Sequence, residues 1–167
     1  TSTQFPLEGP SYRQTLQGGV DIIVGMMDMN QSGTASLVYS TYLGGTDVDE
    51  VRKIALDARN NVILTGYTLS GDFPVTPDAV QRNATGNTDV FVSIVNPNDP
   101  AHFLVYSTYF GGTEGEVAYD IKPDAAGNLY FTGYTLSPDL FTVGASLKLC
   151  AQGVEEVDVR LDEHLDG

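Results

Sequence analysis

Cysteine is nearly missing from this chain, and so is histidine. Cys150 is the one cysteine among 167 residues, so no internal disulfide can hold the fold. It reads as an inert, packed thiol with no activating partner near it in sequence. The two histidines, His102 and His164, fall in no ligand-spaced cluster such as HExxH, which leaves zinc and haem without support. His102 reads as a plain surface residue. Basic residues are scarce too: 8 Lys and Arg stand against 22 Asp and Glu, a net charge of −14. Phosphate binding needs clustered Lys and Arg, so nucleic acid is not an expected partner. A polybasic membrane anchor is excluded on the same ground. No run of 18 apolar residues occurs, so no helix for membrane insertion is expected. There is no Gly-x-Ser-x-Gly elbow, and Gly44-Gly45 and Gly111-Gly112 lack the Lys-Ser/Thr that a phosphate loop requires.

What the chain has instead is repetition. Ser40-Thr-Tyr-Leu-Gly-Gly45 returns as Ser107-Thr-Tyr-Phe-Gly-Gly112, 67 residues on. Thr65-Gly-Tyr-Thr-Leu-Ser70 returns unchanged as Thr132-Gly-Tyr-Thr-Leu-Ser137 at the same spacing. The first pair extends back to Ser36 and Phe103, with eight of ten positions identical. Phe73-Pro74 has an earlier partner in Phe5-Pro6 and a degraded one at Phe141-Thr142. Asp21 and Asp89 open matching segments 68 residues apart. The last copy, near Gly153 to Leu161, matches least. The chain therefore divides into the end of a preceding repeat (1–35), a first repeat or blade (36–102) and a second with a divergent end (103–167). Repeat units bury their apolar surface on their neighbours, so the copies are expected to share one core.

Each copy reads as four short strands. Leu37 to Tyr42 alternates apolar and polar and is expected to open a blade, with a Gly-Gly turn after it. Val51 to Asp57 and Val62 to Tyr67 follow, joined by the tight turn Ala58-Arg-Asn-Asn61, since Asn tolerates positive φ. Asp89 to Val95 completes the set. Val62-Ile-Leu64 and Val90-Phe-Val92 are apolar throughout, which suggests strands covered on both faces. Four-stranded antiparallel sheets stacked face to face describe the blades of a β-propeller. The fold class is thus all-β, of β-propeller type, with about two blades plus a partial one, open or completed by other chains. The period exceeds the roughly 40 to 50 residues of familiar propeller repeats. The excess lies between Ser70 and Thr88, expected to be an ordered excursion at one rim.

The order of these blocks resembles the SBBP family of bacterial β-propeller repeats. The resemblance rests on Ser-Thr-Tyr-Leu-Gly-Gly, Ile54-Ala-Leu-Asp57, Val62-Ile-Leu-Thr-Gly-Tyr-Thr, Asp72-Phe-Pro74 and Asp89-Val-Phe-Val. It runs up to about Leu140, and the sequence departs from the pattern after Phe141. The resemblance implies an extracellular or cell-envelope propeller, often within a large surface protein, and no catalytic set. Two copies do not close a ring. Either the remainder of a longer propeller chain or a homo-oligomer is expected to complete it, because open blade edges promote association.

The acidic cluster after each Gly-Gly is the main polar feature: Asp47, Asp49 and Glu50 in one copy, Glu114 and Glu116 in the other. Repeated carboxylates on equivalent loops suit Ca²⁺, which takes several oxygen ligands. The competing reading is solvated loop charge, since the Asp-x-Asp-x-Asp-Gly spacing is absent. Asp21 and Asp89 at strand starts are expected to accept turn N–H bonds. Tyr42, Tyr67, Tyr109 and Tyr134 recur, which argues for packing, with sugar stacking as the alternative. The function expected is a non-catalytic module that scaffolds or binds protein or glycan at the cell surface. A propeller glycosidase or lyase is the second reading, with Glu50 and Glu116 as the paired carboxylates, which must stand roughly 5 to 10 Å apart. A structural element that assembles through open blade edges is the third.

Overall fold

The computed structural model describes residues 5–9 and 11–140, and the backbone of a short strand at 159–161. Cys150, His164 and most of the divergent stretch after Phe141 lie outside the described residues. The described strands are β1 (Ile22–Met27), β2 (Leu37–Leu43), β3 (Asp49–Leu56), β4 (Val62–Thr68), β5 (Asp89–Val95), β6 (Leu104–Phe110), β7 (Glu116–Pro123), β8 (Leu129–Thr135) and β9 (Val159–Leu161). They form three antiparallel sheets: β1-β2, β3-β4-β5-β6 and β7-β8-β9. The expected strand positions are met within a residue or two. The tight turn at 58–61 is as expected, with Asn60 at φ 63°, and its counterpart in the next repeat has Gly127 at φ 93°.

Strands β4 and β5 of the central sheet are buried on both faces, as their unbroken apolar runs require. On one face Leu64, Phe91, Val95 and Tyr109 meet Ile22, Val24, Tyr39 and Leu43 of the first sheet. On the other, Ile63, Val90, Val92 and Phe110 meet Ala118, Ile121, Leu129 and Phe131 of the third. Side chains alternate across a strand, so Val90, Phe91 and Val92 serve two cores in turn. Sheets stacked in this way are the architecture of successive propeller blades.

Two expectations are corrected. The Ser-Thr-Tyr strand does not open a blade. β6, which carries the second copy, is hydrogen-bonded to β5 and is the fourth strand of the sheet that β3 begins. Gly111 and Gly112 are accordingly not a hairpin turn but the passage from one sheet to the next. The repeat period and the hydrogen-bonded sheet are therefore out of phase.

The second correction concerns the long segment after β4. It does not project at a rim but runs along the free edge of β6. Thr76 N–H donates to Ser107 O at 3.0 Å, and Tyr109 N–H donates to Gln81 O at 3.1 Å. Ser107 N–H donates to Thr76 Oγ1, and Ser107 Oγ donates to Pro74 O. The earlier copy does the same for β2, where Ser40 N–H donates to Glu8 O and Tyr42 N–H to Arg13 O. An unpaired edge would otherwise present a row of open N–H and C=O groups.

Phe73 fastens this segment. It is buried, stacks on Phe91 at 4.7 Å and meets Tyr109 edge-on at 6.2 Å. Truncating such an aromatic leaves a cavity that costs about 3–5 kcal/mol. Phe73→Ala is expected to lose stability on that scale in chemical denaturation. A loss below about 1 kcal/mol would show that the segment does not depend on this anchor.

Candidate functional site: the junction between blades

Where β6 hands over to β7, the chain passes two carboxylates. A Cβ on Gly111 would lie 2.1 Å from Asp89 Oδ1 and 2.6 Å from Glu116 Oε2. A Cβ on Gly44, at the matching point of the earlier copy, would lie 2.7 Å from Asp49 Oδ2 and 2.9 Å from Asp21 Oδ1. Glycine is required here for close approach, not for an unusual φ. Each junction thus gathers one carboxylate from the turn before a third strand and one from the start of the next sheet.

Hydrogen bonds account for these carboxylates. Asp49 accepts from Gly45 N–H at 2.7 Å, from Ser70 Oγ at 3.0 Å and from Thr68 Oγ1. Glu116 accepts from Gly112 N–H at 2.9 Å, and from Thr135 Oγ1 and Ser137 Oγ. Asp21 accepts from the N–H groups of Gln17 and Gly18. Asp89 accepts from those of Thr85 and Gly86, which is the turn-bonding role expected at both strand starts. Two further residues complete the crossover. Asp72 accepts from Thr46 N–H and Oγ1, and Asp139 does the same from Thr113. Asp72 and Asp139 are absent from the acidic cluster read off the sequence. Their signal was there: each follows by two residues the Ser that ends the Thr-Gly-Tyr-Thr-Leu-Ser block.

The five acidic candidates separate. Asp49 and Glu116 are buried, at 1% and 2% exposure, and Asp47 and Glu114 are exposed. Glu50 lies half-buried, with Arg52 3.4 Å away. Glu50 and Glu116 share no hydrogen-bond partner, and each is engaged within its own sheet. Among the described residues no group of three or more His, Cys, Asp or Glu stands where it could hold a metal ion. The cavity beside Glu116, lined also by Val90, Phe110 and Tyr134, measures about 20 Å³. That is room for about one water. His102 is exposed, as expected, and its Nδ1 lies 3.0 Å from Asp99.

Residues 38–74 match the family described as SBBP, a beta-propeller repeat. That span of the chain is an SBBP-type β-propeller repeat. The matched SBBP span takes in β2 and the crossover, then β3 and β4, and ends at Phe73 and Pro74. It therefore contains one whole junction, with Gly44, Asp49, Ser70 and Asp72. The second junction is its echo 67 residues on. No curated protein matches the chain.

A second feature recurs beside the junction. The β3–β4 register slips between Val51 and Lys53, and the β7–β8 register slips between Ala118 and Asp120. Each bulge sits against a glycine: a Cβ on Gly66 would lie 2.0 Å from Glu50 O, and one on Gly133 2.1 Å from Val117 O. A bulge re-aims the side chain of its extra residue. Those residues differ between copies. Arg52 lies over the Tyr67 ring at 5.2 Å, whereas Tyr119 meets Tyr134 at 5.9 Å. Tyr67 has its hydroxyl pKa raised above the usual tyrosine range, first by its hydrogen bond to Glu50.

Charge at the junction has a sign that can be read. Burial raises the Asp89 pKa, with the nearby Glu116 adding to the effect against the hydrogen bonds from Gly86 and Thr85. The folded state then binds that proton more tightly than the unfolded one. Stability contributed at Asp89 falls as pH rises from the ordinary Asp range through its folded value. Asp72 has the opposite sign. The backbone bond from Thr46 lowers its pKa, so its contribution is present above the ordinary range and lost as pH falls through the folded value. Relative to the parent chain, Asp89→Asn is expected to gain stability as pH rises above the ordinary Asp range, and Asp72→Asn to lose it as pH rises towards that range from below. Denaturation at several pH values reads both slopes. Parallel curves for parent and variant would refute the assignment, whatever their vertical offset.

Proposed function

We propose that this propeller segment is a non-catalytic module that binds protein or glycan at the cell surface. The observation that carries this reading is the contrast between the two kinds of recurrent position. The junction residues are the same in both copies, or nearly so, and their polar atoms are taken up by one another. The bulge position is re-aimed outward and differs, Arg52 in one copy and Tyr119 in the other. Tyr119 is 55% exposed, with Tyr134 beside it, and Leu136, two residues beyond Tyr134 in the chain, is also open to solvent. Aromatic rings with a wet edge and an open face suit the apolar face of a sugar ring. Arg52 with Tyr67 and Glu50 offers a charged counterpart on the neighbouring blade. An extracellular or cell-envelope setting fits the strong acidity, which favours solubility. Among the described residues no helix is long and apolar enough to cross a membrane.

The calcium reading has no three converging acidic groups among the described residues to rest on, and melting tests it directly. Its carboxylates would be Asp47, Asp49 and Glu50 on one junction and Glu114 and Glu116 on the other. A ligand that binds only the folded state must raise Tm. Melting in calcium and in chelator decides the point: a higher Tm in calcium supports the site, and identical values remove it.

The binding reading is tested by a glycan array probed with the parent chain and with Tyr119→Ala. Loss of one stacking residue is expected to lower retention of a bound glycan by roughly tenfold, on the scale of one aromatic contact. Retention unchanged in the variant would place binding elsewhere, and an array with no bound glycan would redirect the reading to a protein partner.

A further inference from the structure

The repeat lets each residue be compared with its own counterpart one period away, and two pairs on β3 and β7 disagree sharply in burial. Ala118 and Ile121 on β7 are 0% and 1% exposed, whereas Val51 and Ile54 on β3 are 40% and 58% exposed. The difference is not in the strands themselves, which share the same bulge and the same partner strand geometry. It lies in what covers them. Ala118 and Ile121 sit against Ile63, Val90 and Val92, so strands β4 and β5 of the preceding sheet do the covering. The sheet that precedes β3 holds only β1 and β2, the counterparts of β5 and β6. Its counterparts of β3 and β4 are missing from the described residues. The backbone agrees. β5 is hydrogen-bonded to β4 on one side and β6 on the other, whereas among the described residues β1 is bonded to β2 alone.

The uncovered strip also continues an interface that already exists. Ile54 pairs across the sheet with Leu64, and Leu56 with Val62. Leu64 and Val62 belong to the core shared with β1 and β2. Val51, Ile54 and Leu56 therefore extend that core beyond the point where the first sheet stops.

We propose that the free edge of β1 and the strip Val51, Ile54 and Leu56 form a docking surface for a β-hairpin of the β3–β4 type, contributed by a further repeat. A second copy of this chain does not meet the requirement. Its β3–β4 hairpin is already paired with β5, and its β8 with both β7 and β9. The proposal rests on the blade arrangement and is independent of what the bulge residues bind. The expected occupant has a small or aliphatic residue where β4 has Ile63, and N–H and C=O groups that pair with β1. Hydrogen bonds to β1 supply register, and the strip supplies apolar burial.

The numbering supplies a direct test. Residue 68 of the β3–β4 hairpin has its counterpart one period of 68 immediately ahead of Thr1. A copy of residues 46–68 fused in front of Thr1 thus sets the added hairpin one repeat period ahead of β3 and β4. The extended chain is expected to melt higher than the parent by roughly 5 °C or more. Amides of β1 that do not bond to β2 are expected to gain exchange protection. The same fusion on an Ile54→Ser chain, a substitution at an exposed position, is expected to lose most of the gain. Unchanged Tm and unchanged β1 protection in the fusion would overturn the proposal. So would sedimentation showing that the parent chain forms a dimer that Ile54→Ser dissociates, because the surface would then serve a second copy.

Discussion

Everything in this fold turns on the passage from one sheet to the next at Gly44-Gly45 and Gly111-Gly112. There the backbone runs so close to a pair of carboxylates that no Cβ fits. Asp49, Asp89 and Glu116 are buried and Asp21 is half-buried, and burying a charge is costly unless hydrogen bonds compensate it. The compensation is built from the same short block each time. Thr68 and Ser70 serve Asp49, and Thr135 and Ser137 serve Glu116. The junction is thus a unit that joins the end of one sheet, the start of the next and the segment after its second strand. Its replacement of Asp49 by Glu116 is tolerated because both place their oxygens on the same backbone and hydroxyl donors.

That unit also explains the unusual length of the repeat. The segment from Ser70 to Thr88 begins at the junction, turns inward through Phe73 and then lies along β6. Its carbonyls and N–H groups close an edge that would otherwise be open. The extra residues of the period therefore protect the outer strand, and the tyrosine of the Ser-Thr-Tyr block helps to hold them. Tyr109 donates its hydroxyl to Ser70 O at 2.8 Å. Burial pushes its pKa up to about 12, so it stays protonated and keeps donating. Recurrence of this tyrosine is structural, whereas recurrence of a bulge with an interchangeable residue leaves room for specificity.

The match to the SBBP repeat and the stacking of the sheets agree with one another for a physical reason. A blade whose strands are apolar on both faces cannot be stable alone and must sit between neighbours. Strands β4 and β5 of the central sheet have both neighbours and are dry on both faces. The first sheet has half of its strands, and the surface beside it is correspondingly apolar and exposed at Val51, Ile54 and Leu56.

Strand positions, tight turns and double-sided burial could be read from the residues alone, because they depend on local alternation, on β-branched runs such as Val90-Phe-Val92 and on Asn or Gly at positive φ. Asp21 and Asp89 as turn acceptors belong with these, since their donors lie three or four residues away. Only the tertiary structure decided which strands share a sheet. The Ser-Thr-Tyr strand looks like a beginning in sequence, but its hydrogen bonds go back to β5 and the glycines carry the chain onward. Burial of Asp49 beside a half-exposed Glu50 was likewise hidden, because neighbouring residues on a strand point to opposite faces and only distant segments determine which face is covered. Local pattern encodes period and face; pairing and burial are set by what the rest of the chain brings alongside.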